Sequence, residues 1–182
     1  METATMTKTK WILDLAHSEV GFKVKHMMIT NVSGTFGKFD ARVETEGDDF
    51  TTAKIKFTAD VNSLTTANTD RDNHLKSADF FDGANYPQLA FVSTKFEKKD
   101  DENYVLYGDL TIRGTTKPVK LNVELGGIGK DPWGKEKAGF TVTGKINRTD
   151  FKLNWNAALE TGGVLVGEEV KLQAELQLIK EA

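Results

Sequence analysis

The sequence predicts an all-β chain: one antiparallel barrel of eight strands, with one short helix between strands three and four. Three observations point there. Apolar and polar residues alternate with a period of two through most of the chain, as they do where one strand face is buried and the other wet. One stretch, residues 68–81, leaves that rhythm for helical spacing. A chain of 182 residues fits one barrel without subdivision.

Trp11, Leu13 and Leu15 alternate, then Val20, Phe22 and Val24 do so at the other parity, so the first strand (11–26) is expected to kink at 16–18. In the second (32–45), Val32, Gly34 and Phe36 share one parity and Phe39, Ala41 and Val43 the other. A β-bulge at Gly37–Lys38 would absorb that change and bend the strand. The third (54–61) carries Ile55, Phe57, Ala59 and Val61. The helix follows, with Asn68 or Thr69 as N-cap and acidic residues in its first turn, which suits the helix dipole. Leu75, Ala78 and Phe81 recur at helical spacing, and Asp82–Gly83 with Tyr86–Pro87 ends the segment. Strands four (89–97) and five (104–112) flank a turn-rich stretch and read as a hairpin. Strand six (117–126) carries Val119, Leu121, Val123 and Leu125, and strand seven (137–147) Ala138, Phe140, Val142, Gly144 and Ile146. Strand eight (168–180) shows Val170, Leu172, Ala174, Leu176 and Leu178 alternating with Glu169, Lys171, Gln173, Glu175 and Gln177.

The composition excludes several classes. With no cysteine there are no disulfides, thiolate nucleophiles or iron–sulfur clusters. The net charge is −3, with Lys and Asp/Glu interspersed, whereas a nucleic-acid binder needs a basic face. The apolar runs fall far short of the roughly 20 residues of a membrane-spanning helix. Residues 1–10 bear lysines without an apolar stretch behind them, so they read as no secretory signal. Residues 1–9 are expected to be a disordered lead-in to a barrel domain over 10–182, and the expected compartment is the cytoplasm, or the periplasm had a signal peptide been removed.

Residues that might carry chemistry have plainer explanations. His17, His26 and His74 form no pair at metal-ligand spacing. Asp70, Asp72 and His74 imitate the start of a calcium loop, but its glycine is missing and its twelfth position is Phe81. Ser77, His74 and Asp72 could be drawn as a triad, yet no nucleophile elbow accompanies them. No metal, no catalytic residue and no cofactor is expected. Arg71, Asp72 and His74, at the head of the helix, suit local capping and ion pairing, or contact with the polar end of a ligand.

The inward sets mix large residues (Phe22, Phe36, Phe57, Phe140, Leu172) with small ones (Gly34, Ala59, Gly144, Ala174). An eight-stranded barrel can be filled by side chains or hold one ligand. The small residues either let the large ones interdigitate or leave an apolar tube. No inward set carries a regularly placed charge, so a tube would suit a hydrocarbon.

Ordered motifs run the length of the chain. They are Trp11…Asp14…His17-Ser18, Phe22…Val24…His26, and Val32…Gly34…Phe36. RDNHLKSADFFD over 71–82 follows with Tyr86-Pro87, then GDLTIRGTTKPV over 108–119. Arg148…Asp150-Phe151…Trp155 and Val166-Gly167-Glu168-Glu169-Val170 complete the set. In this order they resemble the YceI-like family. Lys152 stands where the family pattern leads one to expect glycine. The resemblance implies a lipocalin-like barrel that binds a polyisoprenoid lipid inside, often as a homodimer and often in the periplasm. The wall is then expected from Phe22, Val24, Val32, Phe36, Ile55, Phe57, Leu75 and Phe81, with Phe91, Leu110, Phe140, Ile146, Trp155, Leu172 and Leu176. Arg71, Asp72 and His74 would form a polar mouth. An enzyme using Asp72 and His74 on a bound lipid, and a filled barrel serving as an interaction protein, are the alternatives.

Overall fold

In a computed structural model, described for residues 8–160 and 162–181, period-two segments become the strands of one sheet. They are β1 (Lys8–Leu13), β2 (Glu19–His26), β3 (Thr30–Phe36), β4 (Phe39–Glu46), β5 (Asp49–Asp60) and the short β6 (Leu64–Thr65). After helix α1 (Thr69–Lys76) come β7 (Gln88–Lys98), β8 (Asn103–Ile112), β9 (Thr115–Lys130), β10 (Glu136–Asn147) and β11 (Val166–Lys180). The expected lead-in lies outside the described residues except for Lys8 and Thr9, which belong to β1.

Eight strands close a ring in the order β1-β4-β5-β7-β8-β9-β10-β11, all antiparallel, and β11 returns to β1 through Trp11↔Lys180 and Leu13↔Leu178. The first two strands read from the sequence are each divided. Around 16–18 the chain makes a 3-10 turn (Leu15–His17) between β1 and β2. At Gly37–Lys38 the expected bulge is a full break: the Gly37 amide leaves the ladder and donates to the Ser63 carbonyl (3.0 Å). β1 and β4 therefore stay in the ring, while β2 and β3 form a hairpin that continues the sheet from β11 to β6 and still turns Phe22 and Phe36 onto the core. β11 is long enough to serve both, pairing with β1 through Leu178 and with β2 through Leu172.

The two ends of the barrel differ. At the end where β4 turns into β5 and β7 into β8, Trp11 lies tilted against Phe50 (5.0 Å) and Phe50 edge-on to Phe140 (5.1 Å), while Phe96 stacks on Tyr104 (4.8 Å). The Trp11 indole N–H is satisfied by Thr45 Oγ1 (3.1 Å), so this aromatic plug buries no orphan donor. The other end is covered by residues 61–87, including α1, and by the described part (148–160 and 162–165) of the excursion between β10 and β11. We call it the lid end.

The helix is shorter than expected. Asn68 is its N-cap and accepts from the Arg71 amide (3.0 Å). It stops at Lys76 because Ser77 turns out of helical geometry, its hydroxyl donating to the His74 carbonyl. The chain then coils through 77–82, which buries Phe80 and turns Phe81 inward while Ala78 faces solvent. The helical spacing of Leu75, Ala78 and Phe81 thus misses Phe80 as the anchor of the lid.

Candidate ligand-binding cavity

The small inward residues divide between the two readings. A side chain at Gly34 would meet the Phe22 ring, which lies across it, and one at Gly144 would meet Leu121. Ala59 is packed in the core. These three serve interdigitation. Ala174, however, borders an apolar cavity of about 230 Å³ that runs inside the ring. Among the described residues its only polar side chains are those of Arg148 and Gln173.

Of the expected wall residues, Phe22, Val24, Phe36, Ile55, Phe57, Leu75, Phe81, Phe91, Leu110, Phe140, Ile146, Leu172 and Leu176 border this space. Val32 and Trp155 do not. Val32 pairs with Val24, but β3 meets β6 only at Thr35 and Phe36, so no wall closes round Val32. Trp155 packs outside, its ring against His74 (4.5 Å) and Phe80 (5.4 Å), bracing the lid from above.

Arg71, Asp72 and His74 border no part of the cavity. Arg71 donates from Nε to Thr66 Oγ1 (2.7 Å) and from Nη2 to the Thr66 carbonyl (2.8 Å). Asp72 accepts from the Thr66 amide (2.7 Å) and hydroxyl (2.6 Å). Burial works against the Asp72 charge, yet the hydroxyl and amide of Thr66 outweigh it and hold the carboxyl below its ordinary range. Both side chains clamp the helix to Thr66, the residue that follows β6. His74 Nε2 meets Asp79 Oδ2 (2.9 Å) and its ring packs edge-on against both Phe80 and Trp155. His17 is likewise structural, bonded to Asp14 (2.9 Å), which also receives Lys137 and Gln177.

Arg148 is the site residue the alternation could not show. It is 3 % exposed, and no carboxylate lies at ion-pair distance among the described residues. Its guanidinium donates to four backbone carbonyls: Gly167 (2.7 Å), Leu153, Trp155 (2.9 Å) and Val166 (3.2 Å). Burial lowers its pKa and the charge of Glu168 partly restores it. Asn156 completes the knot, donating to the Val166 carbonyl (2.8 Å) and accepting the Val166 amide (3.0 Å). One planar donor fork thus gathers residues 153, 155, 166 and 167 at the lid end of the cavity. The motif Arg148…Trp155…Val166-Gly167 becomes a single structural unit.

Lys152 ends the 3-10 turn Arg148–Phe151 in left-handed conformation, φ +63°. That is the backbone where glycine is unstrained and a side chain costs about 1–2 kcal/mol. Lys152→Gly should raise stability by about 0.5–1 kcal/mol, after the entropy glycine adds to the unfolded chain. Thermal denaturation reads this, and an unchanged or lower midpoint contradicts it.

A family model described as the YceI-like domain matches residues 11–178. A UPF0312 protein of Staphylococcus epidermidis is 42% identical over 93% of this chain and 96% of its own length. A UPF0312 protein of Staphylococcus aureus matches at the same identity and coverage. Among solved structures, the Campylobacter jejuni YCEI protein aligns at 36% identity and TM-score 0.76 over 100% of both chains. Burkholderia cenocepacia BcnA aligns at 27% identity and TM-score 0.79, covering 91% of this chain and 98% of that one. A polyisoprenoid binding domain from Saccharophagus degradans shares the fold at 14% identity and TM-score 0.65, covering 94% of this chain and 98% of its own. By the span of the family model and the identity of these relatives, the chain belongs to the YceI-like family.

Proposed function

We propose that the barrel holds a long-chain polyisoprenoid lipid without covalent attachment, for storage or transport, the lipid being a quinone, a quinone precursor or another prenyl compound. The observation that carries the reading is the apolar cavity. Arg148, among the described residues the only cation on the cavity wall, spends its donors on four carbonyls. A fatty-acid carboxylate drawn inside would be desolvated with no partner of its own, whereas an uncharged prenyl chain asks for none. The name of the Saccharophagus degradans domain agrees with this choice. Burying about 600 Å² of chain at roughly 25 cal/mol per Å² supplies about 15 kcal/mol gross, and ordering the chain removes much of it.

The same reading makes the protein a carrier and not a catalyst. Asp72 and His74 are committed to Thr66 and Asp79 and face away from the cavity. The homodimer implied by the family resemblance belongs to this proposal as well. Organic extraction of the purified protein, followed by mass spectrometry, tests it. A prenyl lipid near one per barrel, unaltered on incubation, is the expected result. Absence of any extracted lipid together with no uptake of an added prenylquinone would overturn it, and time-dependent conversion of that quinone would replace the carrier with an enzyme.

A further inference from the structure

Three long apolar side chains stand together in water at the lid end. Met27, Met28 and Ile29, the loop between β2 and β3, are 40, 57 and 78% exposed. Met27 and Met28 have φ +54° and +61°, and the Ile29 amide donates to the His26 carbonyl (3.1 Å). Both central residues of this turn are left-handed, where Asn and Gly are at ease and large side chains are not. The sequence spends two methionines on a backbone that disfavours them, and then exposes them. The tip is fixed in place, since the Met27 amide donates to the Leu165 carbonyl (2.7 Å) of the excursion that braces the lid.

A second observation is independent of the first. Lys23 lies directly across from Lys171, and Lys171 across from Lys145, on adjacent strands β2, β11 and β10. All three are exposed. Like charges in register oppose strand pairing, and the chain carries them despite a net charge of −3. Among the described residues only Glu169 comes within ion-pair distance of any of them, 3.8 Å from Lys145. Lys25, two residues from Lys23, adds to the same face, and Glu169, two residues from Lys171, subtracts from it. Along β2 the lysine row lies four residues from Met27, about 13 Å at roughly 3.3 Å per residue.

We propose that the lid end docks on an anionic lipid bilayer, with Met27, Met28 and Ile29 in the acyl boundary and Lys23, Lys145 and Lys171 against the phosphates. Apolar side chains of peripheral proteins enter the interface by about 5–10 Å. Flexible lysine stems span what remains of the offset. The inference rests on the cavity being a lipid site in one respect, that such a cargo has to pass between bilayer and barrel.

Flotation with two kinds of vesicle tests it, phosphatidylcholine alone and phosphatidylcholine mixed with phosphatidylglycerol, neither containing prenyl lipid. The protein should float with the mixed vesicles, less so as salt rises. Met28→Ser with Ile29→Ser should weaken that binding at least tenfold. Lys23→Gln with Lys171→Gln should weaken it on the mixed vesicles and leave any residual binding to the neutral ones unchanged. Uptake of a prenylquinone from detergent solution should be the same in both variants, which separates docking from filling of the cavity. A protein that floats but takes up no prenylquinone keeps the docking surface and loses the carrier reading. Failure of the unaltered protein to float, or equal flotation of all variants, overturns the docking surface. So does a change of sedimenting mass in Met28→Ser/Ile29→Ser with vesicle binding intact, since the tip would then be a contact between copies.

Discussion

Replacing Arg148 with methionine is expected to lower the unfolding free energy by about 3–5 kcal/mol, as breaking a buried charged network does. Methionine keeps the apolar stem, so the loss isolates the hydrogen bonds. The Gly167, Leu153 and Trp155 carbonyls lose their donor, while Val166 keeps the bond from Asn156. Each buried acceptor left alone costs about 1–3 kcal/mol, and water entering the loosened excursion relieves part of the sum. In a chain this long the thermal midpoint should fall by roughly 10 °C. Arg148→Lys should recover little, because three donors radiating from one nitrogen cannot reproduce a planar fork. Urea unfolding measures both variants. A methionine variant within about 1 kcal/mol of the parent would show that the knot at the lid end is dispensable.

Phe140→Asp and Phe57→Asp are expected to reduce prenylquinone affinity at least a hundredfold, about 2.7 kcal/mol or more. Both rings border the cavity, Phe140 beside Phe50 (5.1 Å) and Phe57 beside Phe39 (6.3 Å). An ionised carboxylate there would have to shed water against hydrocarbon with no cation to receive it. Protonation is its one escape, so the defect should deepen as pH rises above the new carboxyl's elevated pKa. Phe140→Ala is the control: it costs about 3–5 kcal/mol of stability but leaves the wall apolar, and binding should stay within about tenfold of the parent. Folded aspartate variants that take up quinone as the parent does would place the ligand elsewhere.

The ring was legible because period two is a direct record of one buried face. Val170 to Leu178 show it without interruption, and the pairing of β10 with β11 follows that alternation residue by residue. The break at Gly37–Lys38 was visible only as a change of parity, since a bulge and a severed strand leave the same mark in the sequence. What separates them is the Ser63 carbonyl, which lies 26 residues on. The lid was read less well. Arg71, Asp72 and His74 have the residue types of a ligand mouth, yet their partners Thr66 and Asp79 are close in the chain and satisfy them first. Arg148 had no periodic signal at all. Its partners are backbone carbonyls, which every residue possesses, so only its place in a recurring motif set it apart.

The double pairing of β11 has a kinetic consequence. This strand hydrogen-bonds to β10 along one edge and to both β1 and β2 along the other. Every closing contact therefore joins residues near opposite ends of the described chain, such as Trp11 with Lys180. Closing so long a loop is entropically costly and slow. Until β11 arrives, the preceding strands form a sheet with two bare edges and its apolar face open to water. Refolding should accordingly pass through an aggregation-prone species whose lifetime is set by the docking of residues 166–180.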